Sequence, residues 1–343
     1  MLYQILLNRL SELENARKFD WTEFYNSTVK VEKTQIRSAF SDTTSSNSYY
    51  IFICFFKGCK DNGAIYIKRS HNICTLLEDS IFNNCSSTSN GGSVFYDCRE
   101  GGQFVQQRTC CCKSIALDSI AFMQWIKPSF SSKNYAFDIS VSNCGVNETF
   151  GKKTFGFTWG ELLVSRINST FNKCNQMSSI KNTLSGSSGT CNFSTFRENN
   201  QTGTISLGFN WYRGLTQYIE TISYCNVIGN KCGTGSYQVL FLSDYTTNVD
   251  NCIFVNNTAK YMFSEYYGFH NLTISDSYVE STPELNGCGT VTFTNLKQNY
   301  NFNEFSQLFT DKCFIDPKEI SNNLSYLSKY AKTYLQEYIF IKK

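Results

Sequence analysis

The stretch Ser80-Ile81-Phe82-Asn83-Asn84-Cys85 sets a small residue, a large apolar residue two positions on, and a cysteine three positions after that. The same order stands in Cys54-Phe-Phe56-Lys-Gly-Cys59, Ile139-Ser-Val141-Ser-Asn-Cys144 and Ser169-Thr-Phe171-Asn-Lys-Cys174. With asparagine in the last place it continues in Ser194-Thr-Phe196-Arg-Glu-Asn199, Cys225-Asn-Val227-Ile-Gly-Asn230 and Cys252-Ile-Phe254-Val-Asn-Asn257. Asp276-Ser-Tyr278-Val-Glu-Ser281 is a weaker copy, and Cys110-Cys-Cys112-Lys-Ser-Ile115 fills the one large gap. The central residues fall at 56, 82, 112, 141, 171, 196, 227, 254 and 278, a period near 28. Nine copies at so narrow a spacing define a structural repeat.

Each period holds two further apolar stretches. One follows a glycine, as in Asn62-Gly-Ala-Ile-Tyr-Ile67, Gly91-Gly-Ser-Val-Phe-Tyr96, Gly203-Thr-Ile-Ser-Leu207 and Gly289-Thr-Val-Thr-Phe293. The other leads into the marker, as in Asn72-Ile-Cys-Thr-Leu76, Tyr218-Ile-Glu-Thr-Ile222 and Asn271-Leu-Thr-Ile274. Apolar and small polar residues alternate in both, the period of a half-buried strand. Three short strands per repeat with no helical pattern between them predict one turn of a parallel β-helix, about nine turns in all, each stacked roughly 4.8 Å from the last. A β-propeller needs longer blades, and a leucine-rich solenoid needs a leucine consensus that this chain lacks.

The paired signals Gly91 to Tyr96, Phe196 to Asn199 and Phe254 to Asn257 resemble the repeats of the polymorphic outer membrane protein family, and the cysteine-rich Phe82-Asn-Asn-Cys85 resembles its trichomonad-type members. The resemblance covers about residues 50 to 295. It implies an all-β, right-handed parallel β-helix of the pectin lyase-like kind and an adhesin-like protein of the cell surface or secreted space. It names no task.

The flanks carry a different pattern. Leu2, Ile5, Leu6, Leu10 and Leu13 recur at helical spacing, and Asp316-Pro317-Lys318-Glu319 opens a second helical stripe through Ile320, Leu324, Leu327, Ala331 and Leu335. A solenoid must hide the apolar cross-section at its ends. The expected division is therefore an N-terminal amphipathic helix and cap over 1–48, the β-helix over 49–297 and a C-terminal helical cap over 298–343.

Composition narrows the chemistry. In 343 residues, 31 Lys and Arg oppose 28 Asp and Glu, leaving a net charge of +3 and no argument for nucleic acid. The longest apolar run, Tyr49 to Phe56, is far short of the roughly 20 residues that span a bilayer as a helix. The opening residues do not form a secretory leader, which by itself favours the cytoplasm, whereas nine Asn-x-Ser/Thr sequons at Asn26, Asn84, Asn147, Asn168, Asn192, Asn200, Asn256, Asn271 and Asn323 invite a secretory reading.

Among the cysteines, Cys59 with Cys85, Cys144 with Cys174, and Cys225 with Cys252 share repeat positions and become ladders when turns stack in register. Asn199, Asn230 and Asn257 form an amide ladder in the same way. No metal site or cofactor is expected, because Cys110-Cys111-Cys112 lacks zinc spacing and no nucleotide-binding loop is present. Parallel β-helices also house polysaccharide lyases and hydrolases. The carboxylates to check are Asp79 and Asp138, in one outward column two turns apart, with Thr109 between them. Trp125, Trp159, Trp211 and Tyr212 are candidate surface aromatics for a protein or glycan ligand. The function expected is non-enzymatic binding, with an intracellular structural scaffold and a carbohydrate-active enzyme as alternatives. Ligand and oligomeric state stay open.

Overall fold

The computed structural model describes residues 21–26, 31–117, 122–148, 151, 153–184, 188–202, 205–211, 218–233, 238–265, 270–282 and 289–304. Two large sheets run along the molecule, one of seventeen strands and one of nine, with each strand paired in parallel to its neighbours in adjacent turns. The architecture is the expected parallel β-helix, with about eight complete turns. A representative turn runs Cys74–Glu78 and Ile81–Asn83 in the larger sheet, then Val94–Cys98 in the smaller one. Partial turns at Val31–Thr34 and Thr290–Thr294 extend the larger sheet at each end. The Gly289 to Phe293 stretch thus continues the strands that lead into the markers, since Thr290–Thr294 pairs with Asn271–Ser275.

Two bends per turn give the cross-section its shape. The first is a single residue in the left-handed region, and strand register stacks Gln35, Ile53, Asp79, Arg108, Asp138, Arg166, Phe193, Tyr224, Asn251, Asp276 and Asn295 into one column with φ between 43° and 55°. The second, five residues on, stacks Gly58, Asn84, Lys113, Asn143, Phe171, Glu198, Gly229 and Asn256. A left-handed residue turns the chain without breaking the ladder, because its own N–H still reaches the next turn, as Tyr224 reaches the carbonyl of Asp250 at 3.0 Å. The following N–H has no such backbone acceptor.

Side chains supply it. After the first bend, the N–H of Cys54 donates to Ser80 Oγ at 3.2 Å, that of Ile167 to Ser194 Oγ at 3.0 Å, that of Cys225 to Cys252 Sγ at 3.3 Å and that of Cys252 to Ser277 Oγ at 2.9 Å. After the second, Cys144, Asn172, Asn199 and Asn230 donate their N–H to the Oδ1 of Asn172, Asn199, Asn230 and Asn257, each one turn further on, at 2.9 to 3.1 Å. Each of those amides also donates Nδ2 to the marker carbonyl of the preceding turn, Val141, Ser169, Phe196 and Val227. In the earlier turns a thiol makes the same downward bond, from Cys85 to Phe56 O at 3.5 Å and from Cys144 to Cys111 O at 3.7 Å. Cys59, Cys85, Cys144, Asn199, Asn230 and Asn257 therefore share one column with Ser114 and Asn172.

Two copies sit differently from the sequence reading. Cys111, not Cys112, stacks on Phe82, because Arg108 takes the left-handed bend. Ser169, not Phe171, stacks on Val141 and Phe196: alternation from Ile167 points Ser169 inward, and Phe171 falls on the second bend, 44% exposed. Cys174 consequently leaves the ladder to Asn172 and pairs in register with Gln201 in a short separate sheet. It is buried, and Cys59, Cys85, Cys144, Cys174, Cys225 and Cys252 carry free thiols, whereas Cys110, also buried, is disulfide-bonded.

The rest of the interior is mainly apolar, with Phe56 and Phe82 stacked at 5.1 Å, but it also holds buried Ser179, Asn182 and Glu220. Both proposed helical stripes lie outside the described residues. The part of the N-terminal segment that is described, a single helical turn over 21–24, packs on the outer face of the larger sheet, where Trp21 and Tyr25 cover Tyr50, Phe52, Leu76 and Val105. Tyr25 anchors it by donating its hydroxyl to Thr75 O at 2.7 Å.

Asn230→Ala removes the acceptor for the Asn199 N–H and the donor to Phe196 O, and a loss of about 2–4 kcal/mol is expected in chemical denaturation. Cys252→Ser keeps an acceptor for Cys225 and is expected to cost about 1 kcal/mol or less in the same measurement.

Candidate functional site

Because the ladders face inward, chemistry on offer to a ligand lies on the bends and the outer faces. Asp79 and Asp138 do occupy one outward column two turns apart, but the residue between them is Arg108. Arg108 Nε donates to Asp79 Oδ1 at 3.0 Å and its Nη2 to Glu78 Oε1 at 2.8 Å. Glu78 is fully buried and also accepts from Tyr50 at 2.5 Å. Arg166 binds Asp138 through two bonds of 2.6 and 2.7 Å. Each aspartate is thus engaged by a guanidinium in an ion pair across one turn.

Further along the same column the pairing becomes aromatic. Phe193 and Tyr224 stack with ring centroids 5.3 Å apart and planes 11° from parallel. They are 38% and 41% exposed. Bulky side chains at positive φ carry a backbone cost, of order 1 kcal/mol or more each, that asparagine or glycine would largely avoid. Here that cost is met by exposed rings, so packing in the core does not account for it.

The candidate aromatics behave otherwise. Trp159, at φ 71°, is buried, its ring stacked on Phe130 at 4.1 Å with Lys127 Nζ 3.7 Å from its centroid. Burial and then nearby Arg99 push the Lys127 ammonium below its ordinary pKa. Gly160 follows with φ 83°, where a Cβ would meet Ser132 O at 2.5 Å, so this turn requires glycine. Trp125 pairs in register with Phe95 and Gly156, and Trp211 with Leu184, as backbone positions in the smaller sheet. Tyr212 lies outside the described residues. The exposed rings on the bends, Phe171, Phe193 and Tyr224, escaped the sequence reading. Their signal was present: each immediately precedes a ladder residue, Asn172, Ser194 or Cys225.

The outer face of the larger sheet is divided. In the early turns the N-terminal segment covers Tyr50, Leu76 and Val105; in later turns the same column continues as Thr190, Thr221, Asn248 and Thr273, with Thr221 and Asn248 exposed. Phe193 and Tyr224 border this polar face. Among the described residues no group of His, Cys, Asp and Glu is placed to hold a metal ion, and no helix is long and apolar enough to cross a membrane. Comparison of the chain with family models, curated proteins and solved structures finds no match.

One titratable group inside the barrel stands apart. Glu220 is fully buried between Gly189 and Thr247; its Oε1 accepts from Asn182 Nδ2 at 3.1 Å, and its Oε2 has no hydrogen-bond partner among the described residues. Burial pushes its carboxyl up to about 8, against a smaller lowering by Asn182. The folded state therefore holds a proton that the unfolded chain releases near pH 4.3. Stability from this group is full below that pH and falls as pH rises through about 8. Denaturant midpoints measured from pH 5 to pH 9 should fall more steeply for the native chain than for Glu220→Gln, which has no proton to lose.

Proposed function

We propose that the chain is a non-enzymatic, adhesin-like binding protein of the cell surface, of the kind that the polymorphic outer membrane protein-like repeats suggest. The observation that carries this reading is the stacked, exposed pair Phe193 and Tyr224 on left-handed backbone, beside the polar face of Thr221 and Asn248. Aromatic rings next to hydroxyl and amide groups are the chemistry of protein and glycan recognition. The engagement of Asp79 and Asp138 by arginine supports binding over glycosidic cleavage.

The double variant Phe193→Asn, Tyr224→Asn separates ligand contact from structure, since asparagine suits the left-handed bend better than either aromatic residue. On arrayed glycans and on whole cells, the native protein should be retained and the variant should bind at least tenfold more weakly with an unchanged or higher melting temperature. Equal binding by the two proteins refutes the ridge as the contact. Cleavage of an oligosaccharide that is abolished by Asp79→Asn moves the protein to the enzyme alternative.

The surface location has its own readout. Asn26, Asn84, Asn256 and Asn271 are exposed, whereas Asn168 is buried and donates to Ser140 Oγ at 3.3 Å. Peptide mass mapping of protein from its native cells should find N-linked glycan on exposed sequons and none on Asn168. Unmodified asparagine at every exposed sequon points instead to the intracellular scaffold.

A further inference from the structure

The second bend column carries a cleft of about 260 Å³. One wall is the left-handed residues Phe171, Glu198 and Gly229 of three successive turns; the other is Lys173, Asn200 and Lys231, two residues further along in the same turns. We propose that this cleft binds a single acidic sugar residue, its carboxylate on Lys231 and its ring against Phe171. The proposal rests on the binding function above and assigns a ligand class to a site separate from the Phe193–Tyr224 ridge.

Charge is the first argument. Lys173 Nζ lies 3.1 Å from Glu148 Oε1, and Glu198 Oε1 accepts from Arg197 Nε at 2.9 Å, so both carboxylates near the cleft are answered. Lys231 has no ion-pair partner among the described residues, which leaves one positive charge for an anionic group. Neutral recognition comes from Asn200, whose Nδ2 is committed to Glu148 at 3.0 Å while Oδ1 is left to accept a hydroxyl. Phe171, 44% exposed, offers a ring face for the C–H side of a pyranose.

Shape selects the ligand further. Gly229, at φ 62°, keeps the notch open: a Cβ there would lie 3.3 Å from Glu198 Cγ. The volume is below the roughly 300–1,000 Å³ of drug-sized pockets, which suits one ring rather than a chain segment. A peptide adding as a strand would need free backbone groups, but the N–H groups of Lys173, Asn200 and Lys231 already donate to Cys144, Asn172 and Asn199.

The test titrates the full chain with a glucuronate-containing disaccharide, its neutral glucose counterpart and a glutamate peptide, following affinity by calorimetry. The acidic disaccharide should bind at least tenfold more tightly than the neutral one. Lys231→Gln should bring the two to equality, and Gly229→Asn, whose side chain fills the notch on a bend that asparagine tolerates, should abolish binding without lowering the melting temperature. Equal affinity for the two disaccharides, equal affinity for the peptide, or acidic-sugar binding that survives Gly229→Asn overturns the cleft assignment. Saccharide binding that is lost in Phe193→Asn, Tyr224→Asn but kept in Gly229→Asn upholds the broader binding function and overturns this site alone; no saccharide or cell binding by the native chain overturns both.

Discussion

At most bends one backbone N–H is met by a side chain of the next turn, with Ile139 and Ile167 interrupting the first of the two ladders, and much of the interior is arranged around that bond. A buried donor left unmade costs about 1–3 kcal/mol, and a stack of turns repeats that deficit twice in each. The side chain that repairs it must come from the turn above, must be short, and must point inward at the residue just after the bend. Cysteine, serine and asparagine meet those terms, which explains why they recur at Cys54, Ser194, Cys225 and Cys252 on one bend and at Cys85, Ser114, Asn172 and Asn230 on the other. For Cys54, Cys59, Cys85, Cys144, Cys225 and Cys252, cysteine is thus a matter of small buried hydrogen-bonding volume.

The same constraint sorts inside from outside. A residue in the left-handed region directs its side chain away from the barrel, so each bend produces an external column whose identity the ladder does not specify. In the first column the neighbours pair by kind: Arg108 with Asp79, Arg166 with Asp138, Phe193 with Tyr224. In the second, aromatic, acidic and glycine residues follow one another and leave a cleft at Gly229. Function written on these columns leaves the interior hydrogen bonds untouched, and the rod can hold several contacts at fixed spacing along its axis.

Much of this was legible in the sequence, for a physical reason: marker, ladder residue and alternation are all inward features, and burial restricts inward residues to few types. The errors came where that restriction loosens. Ser169 fills an inward place with a hydroxyl bonded to Ser179 O at 2.8 Å, so the sequence pattern points to the apolar Phe171 two positions on as the marker and to Cys174 as the ladder residue. In the Cys110 to Cys112 run three identical residues hide the phase, which only the bend at Arg108 resolves. The outward columns were the least legible, because solvent tolerates aromatic, charged and glycine residues alike. Arg108 and Arg166 became partners of Asp79 and Asp138 only once register was known.

The account stands or falls on whether those orphan amides are bonded across turns. Residue-resolved hydrogen exchange on the folded chain reads this directly at Asn172, Asn199, Asn230, Cys225 and Cys252. The account predicts that these amides are protected to the same degree as the neighbouring strand amides of Phe196 and Val227. Exchange at the rate of an open turn, with the strands on either side still protected, would contradict it.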